Sequence, residues 1–96
     1  MKSSFRCRIL MMDASYKAYF HANDHVKKYL AEGIFWLADT VEEEIRIQKP
    51  MNLDYCIANV SDIKRIAEES FKDPNRWVGT DKFTIATHRL SIGLPD

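Results

Sequence analysis

The chain has 96 residues, 46% of them hydrophobic and 29% charged, and its 14 basic side chains balance 14 acidic ones. That length holds one domain, residues 1–96, and the composition excludes a disordered chain. Zero formal charge removes bulk attraction to DNA, RNA or an anionic membrane, leaves local patches open, and favours self-association or a standing partner.

Two cysteines, Cys7 and Cys56, are too few for a disulfide scaffold. The N-terminal stretch MKSSFRCRILMM has a positive start, but its apolar run is short and no small-residue cleavage site follows. No uncharged run approaches the length of a membrane span. The expected setting is therefore the reducing cytoplasm, away from membrane, where the Asn59-Val60-Ser61 triplet has no glycosylation role.

Taken in order, Phe5–Met12 alternates, with Phe5, Cys7, Ile9 and Met11 on one side, as a strand would. Asp13-Ala14-Ser15 reads as a turn and Tyr16–His21 as a second strand, making an N-terminal β-hairpin. Asn23 or Asp24 caps a long helix, Asp24–Gln48. Val26, Leu30, Ile34, Leu37, Val41 and Ile45 fall within an arc of about 100° on it, a normal core stripe. Tyr29 and Trp36 lie on one flank, beside Gly33 and Thr40. Gly33 costs roughly 1 kcal/mol against alanine in a helix interior, which fits a close neighbour. Phe35 points about 140° from the stripe's centre, among Lys28, Asp39, Glu42 and Arg46. Lys27 and Lys28 at the start and Glu42–Glu44 near the end run against the helix dipole, so packing must hold the helix. Pro50 ends it.

Leu53–Val60 fits a strand by alternation, while Leu53, Ile57 and Val60 also suit a helix continuing onward. The strand is favoured because Val60-Ser61-Asp62 resembles a strand end followed by a cap. Ile63, Ile66, Ala67, Ser70 and Phe71 then form an amphipathic helix, stopped by Asp73-Pro74. Gly79-Thr80-Asp81 is a turn, and Lys82–Ile92, rich in Thr and Ile, reads as a final strand before Gly93-Leu94-Pro95. The expected fold is α+β in the order ββαβαβ, with two helices on one face of a mixed or antiparallel sheet.

Chemistry is sparse. His21, Asp24 and His25 resemble a metal-ligand cluster that Cys7, Cys56 or His88 would complete, but the spacing straddles a strand–helix junction, and two half-exposed histidines beside a cap explain it more simply. Both cysteines lie among apolar neighbours, so a Cys–His enzyme has little support. Three glycines supply no phosphate loop. No cofactor and no catalytic residue is expected.

Two binding readings remain. A hairpin face carrying Arg6, Arg8, Lys17 and Tyr19 would mix cations with an aromatic, as single-strand nucleic-acid binders do. The favoured reading is a non-enzymatic protein-interaction module, of an inhibitor, immunity-type or regulatory-adaptor kind, or a homodimer. Its contact face on helix 24–48 comprises Tyr29, Phe35, Trp36, Asp39, Glu42, Glu43 and Arg46, an aromatic anchor with a charged rim. Two bland alternatives oppose it: the Ile63–Phe71 helix covers Phe35, and the Glu42–Glu44 run is only a solvated face. If the partner handles nucleic acid, those acids would imitate phosphate.

Overall fold

The computed structural model describes residues 4–94. They form α1 (Phe5–Tyr19), α2 (Asp24–Gln48), α3 (Leu53–Lys72), α4 (Pro74–Trp77) and α5 (Lys82–Gly93), and no strand occurs among them. The α+β expectation is therefore overturned, and each expected strand falls in a helix, except that Phe20 and His21 form the turn after α1.

The N-terminal hairpin fails first. Ser4 is extended and its Oγ accepts from the Cys7 backbone N–H at 3.1 Å, which caps α1. Phe5, Ile9, Met12 and Tyr16 are buried, at i, i+4, i+7 and i+11. Phe5 and Ile9 belong to both the alternating and the helical pattern, so eight residues cannot separate them; fifteen residues without glycine or proline can. The expected Asp13–Ser15 turn is helix interior. There Asp13 pairs with Lys17 one turn on at 3.0 Å and accepts from Thr84 Oγ1 at 2.7 Å.

Helix α2 has the expected limits. Asn23, not Asp24, caps it, with Oδ1 accepting from the Val26 N–H at 3.0 Å. It ends at Lys49, which is left-handed (φ 49°), just before Pro50. Of the expected stripe, Ile34, Leu37, Val41 and Ile45 are buried and Ala38 joins them; Leu30 is half-buried and Val26 exposed.

Helix α3 runs unbroken through the expected strand and its supposed cap. Cys56, Asn59, Val60, Ile63, Ile66, Ala67 and Ser70 form one buried stripe at spacings of three and four. Ser61 and Asp62 are interior, which settles the 53–60 ambiguity for helix. Pro74 starts α4 after the break, and Gly79 takes φ 83° in the expected turn. In α5 the Thr/Ile strand preference loses to packing: Phe83, Ala86, Thr87 and Leu90 face the core, and Thr87 Oγ1 donates to the Thr84 carbonyl at 2.8 Å. Gly93 ends α5, and Pro95 lies outside the described residues.

The long helices run up, down, up, down, with α1 and α3 each packed against both α2 and α5. Arg8 meets Glu44, Lys64 meets Asp39, and Asn52 Nδ2 donates to the Gly93 carbonyl at 2.8 Å, so successive helices are antiparallel. A Cβ on Gly93 would lie 2.8 Å from the Tyr55 ring, so a larger residue there would displace that exposed ring from the α3–α5 contact. Tyr16 occupies the centre, stacked on Phe83 at 4.1 Å and hydrogen-bonded to Ser70 Oγ at 2.9 Å. Ser70 spends its own proton on the Ile66 carbonyl, so the tyrosine donates. At about 1.5 Å per residue, α2 spans the 39 Å long axis. Among the described residues no helix is long and apolar enough to cross a membrane.

Candidate functional site

The two flanks of α2 meet different environments. On the α3 side, Phe35 is half-buried and lies edge-on to Phe71, centroids 6.2 Å apart. Asp39 and Glu42 share Lys64, and Glu42 also holds Arg46 at 3.4 Å. Desolvation pulls the Lys64 pKa down, but its hydrogen bonds and the charges of Asp39 and Glu42 outweigh that and raise it above the usual lysine value. Phe35 is thus packed within the bundle, as the covering-helix alternative requires, and its acidic neighbours are neutralised. Glu44 turns the other way, to Arg8 at 2.8 Å. The acidic run therefore points in three directions and makes no continuous anionic face.

On the α1 side an open groove of about 420 Å³ lies between α1 and α2. Met11, Trp36, Leu37, Thr40, Glu43 and Ile47 line it, above the half-buried Arg8–Glu44 pair. Trp36 is 65% and Ile47 71% exposed, large values for residues of that size. Tyr29 and Gly33 continue the same stripe toward the start of α2, and Tyr29 is exposed with His25 edge-on at 5.2 Å. A Cβ on Gly33 would meet nothing within 4 Å, so none of the described residues is the close neighbour expected for that glycine.

The expected contact residues are thus divided. Tyr29, Trp36 and Glu43 share the open flank, while Phe35, Asp39, Glu42 and Arg46 do not. Met11 and Ile47 were not anticipated. The signal for Ile47 was the stripe of Tyr29, Gly33, Trp36 and Thr40, which extends further along α2 to it; no such pattern marked Met11, which lies on α1.

The basic and aromatic hairpin face has no counterpart, because its strands do not form. Arg6 and Lys17 lie on the opposite side of α1 from Arg8 and Tyr19. Tyr19 is stacked on Phe71 at 4.0 Å with the Lys27 ammonium over its ring, and Arg8 is ion-paired. Among the described residues no three of His, Cys, Asp and Glu converge to hold a metal ion, which leaves His21, Asp24 and His25 as turn and first-turn residues. Burial pushes the Cys56 thiol pKa up, and its Sγ lies 3.5 Å from the Gly93 carbonyl, an environment for an inert thiol.

No protein-family model, curated protein or solved structure matches this chain.

Proposed function

We propose that this helical bundle works as a non-enzymatic protein-interaction module whose contact surface is the outer flank of α2 with the adjoining part of α1. One observation carries this reading: Trp36 stands 65% exposed at the rim of an apolar groove that the chain's own helices leave open. Tryptophan is the side chain most enriched among residues that dominate binding energy, and a groove between two helices is the shape that takes a third. Glu43, exposed on the groove wall, supplies the polar rim.

A photo-cross-linking residue (benzoylphenylalanine) in place of Trp36 or Ile47, with Glu68 as the control position on α3, tests this in cells of the source. Polypeptide adducts from positions 36 and 47 and none from 68 are expected. Absence of adducts at both groove positions overturns the reading.

A further inference from the structure

We infer that the occupant of this face is a second copy of the chain, with α2 packed antiparallel on α2 about a two-fold axis near residue 38. The inference rests on the reading above that this face is a protein contact surface. The outer stripe is Tyr29, Gly33, Trp36, Thr40, Glu43 and Ile47, spaced 4-3-4-3-4. That is the heptad alternation by which helices pair along a seam.

The spacing is also palindromic, so reversing the helix lays the stripe back onto itself. With the axis at 38, Trp36 of each copy faces Thr40 of the other, and Gly33 faces Glu43. The largest side chain meets a small one, and the longest polar one meets no side chain at all. Tyr29 faces Ile47 at both ends. The helix-interior glycine, without a neighbour in its own bundle, then has a structural reason: it admits the other copy's α2.

The area agrees. Met11, Tyr29, Trp36 and Ile47 are each between 49 and 71% exposed. At about 200 Å² for a side chain of that size, they offer on the order of 500 Å² of apolar surface. Gly33, Thr40, Glu43 and the exposed Ala18, two turns from Met11 on α1, bring the face toward the roughly 800 Å² per partner of a stable interface. Glu43 is the stripe's one charged residue, and the chain's formal net charge is zero, so no long-range repulsion opposes self-pairing.

Sedimentation of the full chain gives the test. The wild-type protein is expected at twice its 11.2 kDa mass, with a melting temperature that rises with concentration. Trp36→Ala and Gly33→Gln should each weaken association at least tenfold, while dilute samples keep their helical content and cooperative melt. Trp36→Thr and Thr40→Trp should each weaken it as well, and the two together should restore it, because the large–small pairing is then exchanged across the axis. A wild-type chain that sediments at single mass at its highest soluble concentration overturns the inference. So does a double exchange no better than the sum of its single losses. In the cross-linking experiment, an adduct of twice the chain mass supports the second copy. An adduct to a different protein keeps the interaction reading and overturns the homodimer.

Discussion

Phe35 and Trp36 are adjacent in sequence, similar in size and differently used. Phe35 turns toward α3 and finds Phe71; Trp36 turns toward α1 and finds an open groove. One flank of α2 is closed by a shared lysine and an aromatic edge, the other is left with exposed apolar side chains. The difference shows that an aromatic residue outside the core stripe identifies a binding face only when no neighbouring helix covers it. Phe35 looked the more anomalous of the two and is the better accounted for.

The comparison can be broken by substitution on the three sides of α2. Ile45, fully buried on the core side, sets the scale: Ile45→Ala should lower stability by about 2–5 kcal/mol in chemical denaturation. Phe35→Ser should lose roughly 2 kcal/mol, because only part of the ring is covered by Phe71 and the adjoining core. A loss no greater than that of an ordinary surface change would put Phe35 back among the contact residues. On the open flank, Gly33→Ala should instead raise the stability of the dilute protein by about 0.5–1 kcal/mol, since the added methyl meets nothing and the helix interior gains a better former. Trp36→Ala, measured at equal dilution, should stay within about 0.5 kcal/mol of wild type.

Alkaline titration probes the core, through Cys56 and Tyr16, and the closed flank, through Lys64. Burial raises the Cys56 pKa above its ordinary 9.0 and raises the Tyr16 pKa above 10.0. In both cases the unfolded chain loses the proton first, so stability falls as pH climbs through the unfolded value toward the folded one. Lys64 adds in the same direction. Its folded pKa is raised, so its contribution is complete below 10.5 and disappears as pH passes through the folded value. Stability from urea midpoints should be flat at neutral pH and decline from about pH 9 upward. Cys56→Ala should delay the onset, and Trp36→Ala should leave the profile unchanged.

The failures of the sequence reading have a common physical source. In windows of eight residues, Phe5–Met12 and Leu53–Val60 fit period 2 as well as period 3.6, because a chain rich in apolar residues satisfies several templates at once. Ser4, whose side chain caps α1, is the local feature that separates helix from strand in the first of them. Thr and Ile in α5 expressed a weak strand preference that burial of Phe83, Ala86 and Leu90 overrode.

By itself the sequence determined the long α2 with both its ends, the second half of α3, the stop at Pro74 and the turn at Gly79. Those depend on local chemistry: capping side chains, proline's missing N–H and glycine's backbone freedom. It also marked Tyr29, Gly33, Trp36 and Thr40 as a flank apart from the core. Only the tertiary structure decided that the outer segments are helices and that Phe35 is covered while Trp36 is not. Which flank of α2 a neighbour covers depends on how α1 and α3 pack around it. That is a property of the assembled bundle, carried by no single stretch of residues.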